Sequence, residues 1–487
     1  MPIPHSYDTV TLQNTGLGEV FADSNPLVSD VAAKFDAISD QASHFKIKDG
    51  RLFPFLRYTR ANVSGINWGL NHIQGIQRLR NSNCLLISAS DKVINASHLF
   101  VAKLGSRRSR GYWGSNIITQ QDPTAIDTMV QIFALDKVAW HAGGISVMGD
   151  ILAVPIYETE PVHTKIVFLN MRDPEQPTVF SFSLNRDTYV RSNAVAMAKM
   201  PNGRFLCAVW REVQSKPQGR IDFHVSTDND FRNGFHSSAS TWRFTDIQGI
   251  TGGNRTYQNI NFIVPGDLAQ DMSDGGSTVF YMVASQNDSP SAPAGHGSDL
   301  ADLFKVEFPN SIFLDHLSTD KIVLTRLKTR KFHGGNEYTN FNAAAGIYVS
   351  TDDTLAMYAG YHWRNDDVFA LSEFPPSESD TSGVGSWVEL FEDRNFQGRR
   401  LTLRNREEAN IPNFGKISVQ GKGFDDKISS LRFFAPVGSS LVLYQHKNFN
   451  ANGRQVAFNG TGLVVEVPNL DAHGFQMDDE GSSMRFI

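Results

Sequence analysis

The sequence predicts an all-β protein of two domains, and three features carry that prediction. From about residue 70 to 376, short apolar strands alternate with Gly, Asn, Asp and Pro turns, and helical periodicity is scarce. Within that stretch, a polar residue followed four positions later by Ile or Met recurs: His72 to Ile76, His141 to Ile145, Asn193 to Met197, Asn259 to Ile263 and, one residue out of step, Asn342 to Ile347. The tail then duplicates itself, because Asp425-Asp426-Lys427-Ile428-Ser429-Ser430 returns 53 residues later as Asp478-Asp479-Glu480-Gly481-Ser482-Ser483, each copy followed by an apolar residue, Arg and Phe.

Residues 1–60 read as an N-terminal segment with one amphipathic helix. Leu27, Val28, Val31, Ala32, Phe35 and Ile38 recur at helical spacing, which predicts a helix over 27–43 capped by Ser24 or Asn25 ahead of Pro26. Residues 61–376 hold the repeat. Each copy is followed by a stronger strand (Cys84–Ser88, Ile151–Ile156, Phe205–Trp210, Thr278–Ala284, Thr354–Tyr361) and then a third one. This pattern resembles a β-propeller, in which four-stranded blades surround an axis. The repeats lie 52 to 83 residues apart, longer than the roughly 40–50 residues of a minimal blade. Five decorated blades are therefore favoured, with six or seven left open. Crowding of the first strands at the axis accounts for the small residues Gly75, Gly143, Gly144, Ala196 and Ala345. Residues 285–301 read as a polar loop, and 377–386 as the linker to a final domain over 387–487.

The chain has 487 residues, 40% of them hydrophobic and 20% charged, as in ordinary globular domains. A net charge of −6 gives no sign of nucleic-acid binding or attraction to an anionic membrane. No run approaches the ~18 apolar residues of a membrane helix. The N-terminus lacks the basic and apolar regions of a signal peptide. The expectation is a cytoplasmic protein, with a secreted one left open. Cys84 and Cys207 sit in apolar runs and read as buried thiols, without a disulfide framework or a zinc site.

In a propeller, the starts of the first strands and the ends of the second strands open on one face. His72, His141, Asn193 and Asn259 then share a channel mouth with Tyr157, Trp210, Arg211 and His362, the aromatic and polar mixture that a small-molecule or glycan site needs. His72, His141, Arg211 and Tyr157 are the candidates for catalysis. The opposing reading is that these side chains only bind neighbouring blades together. Two His and three Asn do not make the four axial histidines of propeller oxygenases. The inner strands carry no carboxylates of the glycosidase kind. Arg107-Arg108-Ser109-Arg110 reads as an exposed loop or an anion-binding lid.

The duplicated tail also repeats an aromatic hairpin signature, Phe391 to Phe396 and Gly398 in one copy and Tyr444 to Phe449 in the other. The second copy has Ala451 where glycine is expected, and its glycine comes at Gly453. With the Asp-Asp-x-x-Ser-Ser motifs, residues 387–487 resemble a βγ-crystallin domain, two Greek keys packed together. The resemblance implies two Ca2+ sites sharing ligands between the motifs, drawn from Asp425, Asp426, Lys427, Ser429, Ser430, Asp478, Asp479, Glu480, Ser482 and Ser483. Carboxylate and hydroxyl oxygens suit this hard cation, which takes six to eight oxygen ligands. The whole architecture is also similar to that of cyanobacterial enzymes of cylindrocyclophane assembly, which fuse a calcium-binding module to a propeller. That resemblance implies an alternative function, alkylation of an aromatic ring by an alkyl halide at the domain junction.

Overall fold

Five four-stranded antiparallel sheets make up the first part of the chain. The computed structural model describes residues 10–16, 18–40, 42–48, 72–80, 82, 84–91, 96–104, 128–136, 139–158, 164–185, 191–213, 216–236, 240–243, 248, 257–266, 277–287, 298–309, 322–333, 339–350, 353–360, 368–376, 386–403, 409–419, 422–435, 439–450, 452–460, 464–472 and 476–487. The chain falls into two units, Met1–Pro376 and Ser377–Ile487.

The first blade runs His72–Arg78, Cys84–Asp91, Ala96–Lys103 and Thr128–Asp136. The second uses Ser146–Met148, Ile151–Tyr157, Thr164–Asn170 and Thr178–Asn185, and the third Arg191–Lys199, Phe205–Val213, Lys216–Val225 and Ser240–Arg243. The fourth uses Asn259–Pro265, Ser277–Asn287, Asp299–Pro309 and Val323–Phe332. The fifth begins with Asn340–Val349, Leu355–Gly360 and Val368–Phe374. Both faces of a blade meet a neighbour, so strands such as Ile151–Tyr157 are buried at every position rather than alternately. Hydrophobic clusters fill the four interfaces between successive blades, and a further one, containing Ile76, Ile87, Phe100, Tyr348 and Tyr358, joins the fifth blade to the first. The result is a closed five-bladed β-propeller.

The fifth blade takes its outer strand from the other end of the chain. Ser43–Lys48 pairs antiparallel with Val368–Phe374. The boundary expected at residue 60 therefore cuts through the ring, since part of the N-terminal segment belongs to it. The rest of that segment visits the blades in turn. Val10–Thr11 pairs with the first blade and Gln13–Asn14 with the second. Asn25 holds the third through both backbone groups of Lys199, at 2.5 and 2.7 Å. Leu27–Val28 pairs with Val264–Pro265 of the fourth, and Ser29 donates to Asp353 beside the fifth.

These pairings also shorten the expected helix. It spans Val31–Asp36 only, with Asp30 rather than Ser24 or Asn25 capping the Ala33 amide. Leu27–Val28 is a strand, and Ile38 bridges Pro376, so the backbone groups a longer helix would use are already committed. Val31 and Phe35 still bury as the amphipathic pattern requires.

At the axis the inner strands touch. Ala345 pairs with Gly75, and Gly144 exchanges backbone hydrogen bonds with Asn193 and Val195. A Cβ on Gly346 would run into the Ile76 carbonyl oxygen, and one on Gly144 into that of Gln258. The small residues are there because the ring is narrow.

The second unit has two main sheets. Gln397–Leu403, Trp387–Asp393 and Ser430–Phe434 are joined by Val464–Val467 from the second motif. Gln455–Asn459, Ser440–Tyr444 and Ser483–Phe486 are joined in return by a bridge from Ile411 of the first motif to Met484. The second motif lends a strand to the first's sheet and the first returns a single bridge, the double Greek-key arrangement of a βγ-crystallin fold, around Phe414, Phe424, Leu431, Leu470 and Met484. The Ala451 departure leaves the start of the hairpin unchanged. Asn448 and Phe449 adopt positive φ of 60° and 55°, matching Asn395 and Phe396 at 56° and 62°.

Candidate functional sites

In the second unit the two acidic loops face each other. The Asp426 amide donates to the Gly481 carbonyl at 3.3 Å, and the Asp479 amide to that of Ile428 at 3.1 Å. The side chains repeat the exchange. Ser482 Oγ donates to Asp426 Oδ1 at 2.8 Å, and Ser429 Oγ to Asp479 Oδ1 at 3.3 Å. Asp426 and Asp479 hold positive φ of 51° and 52°, a left-handed turn that Asp tolerates better than most residues. Each loop thus places a carboxylate against the other motif's first serine.

The remaining positions of the motif divide by role. Ser430 and Ser483 are fully buried and pin the hairpins. Ser430 Oγ donates to the Asp393 carbonyl and accepts from the Phe396 amide, and Ser483 does the same with His446 and Phe449. Lys427 points to solvent. Glu480 accepts from Gln445 and Arg454 at 2.7 and 3.2 Å. Asp425 and Asp478 each bind a cation from the facing hairpin, Lys447 at 2.8 Å and Arg394 at 2.5 Å. Those hydrogen bonds, with the carboxylate charge behind them, raise the proton affinity of Lys447 and Arg394. The other oxygen of each of these aspartates, Asp425 Oδ1 and Asp478 Oδ1, is buried without a hydrogen-bond partner. Among the described residues no three His, Cys, Asp or Glu side chains gather at one point. Each loop pair therefore offers two carboxylates and a hydroxyl, to which backbone carbonyls and water would have to add. An oxygen-only donor set with an orphaned carboxylate oxygen fits a hard cation such as Ca2+.

In the propeller, part of the expected mouth comes together. His141 is half-buried and stacks on Tyr157, ring centroids 4.3 Å apart, with Trp140 edge-on at 5.3 Å. Beside them, Gly143 and Gly144 lie against Asn193 and Asn259, and Asn259 Nδ2 donates to the Ile145 carbonyl at 3.3 Å. Asn193 and Asn259 are buried. Trp210 is fully buried, packed against Tyr257 at 4.9 Å in the core between the third and fourth blades. Arg211 is tied to Asp222 at 2.8 Å within the third blade. Neither is presented to a ligand in this arrangement: the apolar face of the strand claims Trp210 and an ion pair claims Arg211. His362, the side chain of His72, and Arg107–Arg110 lie outside the described residues, as do 377–385 of the expected linker and 288–297 of the expected loop.

Sequence reasoning missed the opposite end of the axis. Inner strands run outward from the mouth to Arg78, Lys199, Pro265 and Val349, and the N-terminal segment crosses there. A cavity of about 170 Å³ lies under Ser24, Asn25 and Pro26. Its one signal in the sequence was Gln77-Arg78, polar residues at the end of an apolar strand.

No protein-family model matches the chain, and no curated protein does. Among solved structures, a βγ-crystallin domain from Clostridium beijerinckii is 19% identical over 20% of this chain and 95% of its own, with a TM-score of 0.15. A GH32 β-fructofuranosidase from Bombyx mori is 12% identical over 90% of this chain and 84% of its own, with a TM-score of 0.36. A mannose phosphorylase from Leishmania mexicana is 10% identical over 70% and 90%, with a TM-score of 0.31. The functional reading therefore rests on this chain's own residues.

Proposed function

We propose that the protein is a calcium-binding scaffold: a propeller that holds a small molecule or glycan at the His141–Tyr157 mouth, followed by a double Greek-key module that takes up Ca2+. The reciprocal contact of the two acidic loops supports the calcium reading most directly. Asp425, Asp426 and Ser482 would hold one ion, and Asp478, Asp479 and Ser429 the other. Bound Ca2+ would supply positive charge to the two carboxylates at each site. The stacked, half-buried His141 ring supports the mouth as a platform for a flat or sugar-like ligand.

The test is thermal unfolding of the full chain with and without Ca2+. An ion that binds only the folded state stabilises it by RT ln(1 + [L]/Kd), about 2.7 kcal/mol at a hundred times Kd. The melting temperature of the second unit is expected to rise in millimolar Ca2+, and the double variant Asp426→Ala, Asp479→Ala should lose that rise. An unmutated protein indifferent to millimolar Ca2+ would sink the metal reading.

A further inference from the structure

We propose that the cavity at the strapped end of the propeller axis is a binding site for a small organic anion, a carboxylate or a phosphate ester. Its wall carries two guanidinium groups, Arg78 and Arg80, and among the described residues no carboxylate. Arg78 is 3% exposed; its guanidinium lies beside the Tyr358 hydroxyl, and among the described residues no carboxylate or carbonyl oxygen accepts from its three nitrogens. Burial opposes its charge. Tyr348 beneath its plane at 4.6 Å, and Tyr358 with Glu373 behind it, favour that charge and raise its proton affinity overall. Tyr358 donates to Glu373 at 2.8 Å, so the carboxylate is shared rather than given to Arg78 in a direct ion pair. Arg80 spends its Nε on the Ser350 carbonyl at 3.2 Å, and no described carboxylate pairs with it. Two cations against one shared carboxylate leave local positive charge in a confined space. A buried guanidinium with so few acceptors is expensive, and a planar or tetrahedral oxyanion supplies the paired acceptors that its fork matches.

The rest of the wall fits that occupant. Gln77 Nε2 donates to Asn261 Oδ1 at 2.8 Å, a bond from the first blade to the fourth, which are not neighbours in the ring. Both residues line the cavity, and neither His141 nor Tyr157 does. Phe262, Ile347 and Val349 give the sides an apolar lining for a short carbon skeleton. The site is thus distinct from the ligand platform proposed above.

Isothermal titration of the full-length protein with malonate and, separately, with inorganic phosphate tests the proposal. Saturable binding of either supports it, and which one binds assigns the anion's class. Arg80→Gln should weaken binding by about tenfold or more. Arg78→Gln would strand Glu373 and could prevent folding, so Arg78→Lys is the second variant, expected to fold and to bind more weakly for loss of the two-pronged contact. Glu373→Gln should tighten binding by removing the competing charge, and His141→Ala should leave it unchanged. No saturable binding of either anion, or Arg80→Gln and Arg78→Lys that both bind as the unmutated protein does, overturns the assignment.

Discussion

His98 should give the propeller an acid sensitivity that can be isolated. It lies on Ala96–Lys103 with no exposed surface, on the same face as Phe100, whose ring is 6.1 Å away. Burial lowers its pKa from 6.5 to about 4. The folded state therefore holds the ring neutral, while the unfolded chain protonates it below about pH 6.5. Between those values the unfolded state binds more protons, so stability falls as the pH falls, and the loss is complete near pH 4. A shift from 6.5 to about 4 corresponds to about 3 kcal/mol in full, of which roughly 2 kcal/mol is felt at pH 5. Denaturant unfolding of the propeller, from pH 7 down to pH 4.5, is measured for the unmutated protein and for His98→Gln. The variant can be less stable at every pH, since the amide must find its own partners. The difference between the two curves should nevertheless shrink by roughly 2 kcal/mol on acidification to pH 5. Parallel curves across that range would show that His98 titrates alike in both states, and the burial argument would be wrong.

Further outcomes follow from the same contacts. Gly346→Ala should destabilise the propeller by about 3 kcal/mol, because its Cβ must displace the Ile76 carbonyl at the axis, whereas Gly18→Ala, with nothing within 4 Å, should stay within about 0.5 kcal/mol. Asn25→Ala removes both bonds to the Lys199 backbone and should cost about 1–3 kcal/mol in chemical unfolding of the propeller. Lys447→Met with Arg394→Met should tighten Ca2+ binding several-fold, roughly, in titration at low salt, since each removes a cation held by an aspartate the ion would use. Unchanged affinity would place the ions away from Asp425 and Asp478.

Most of the fold was readable because its signals are local. The inner strands announce themselves by the recurring polar residue and the following Ile or Met, and the tail by its two Asp-Asp-x-x-Ser-Ser copies. The ring's closing strand was not legible. Ser43-His44-Phe45-Lys46-Ile47-Lys48 alternates as an edge strand does, but its partner lies more than 300 residues away, and nothing local names it. The helix was overdrawn for a related reason: Leu27, Val28 and Ile38 are spaced for a helix, yet pair with Val264, Pro265 and Pro376, which buries Val28 and Ile38 and leaves Leu27 exposed. At the sites, side-chain direction was not legible. Trp210 and Arg211 adjoin in sequence but point to opposite faces of their strand, one into the core and the other to Asp222. In the tail the two serines of each motif look equivalent, yet only the first of each pair meets the facing aspartate.

The N-terminal segment joins two properties that its sequence keeps apart. Ser43–Lys48 completes the fifth blade, and Ser24–Pro26, on the same segment, walls the arginine-lined cavity. An anion held there touches inner strands of four blades and the strap together, so it binds the closed ring and not one whose strap has lifted. Binding and closure are then thermodynamically linked, and the linkage is reciprocal. An anion that raises the stability of the docked strap must itself be held less tightly when docking is weakened. Asn25 anchors the strap through the Lys199 backbone. Asn25→Ala should therefore lower anion affinity, and saturating anion should restore part of the stability lost in that variant. Ring closure and cavity occupancy would then be two readings of a single equilibrium.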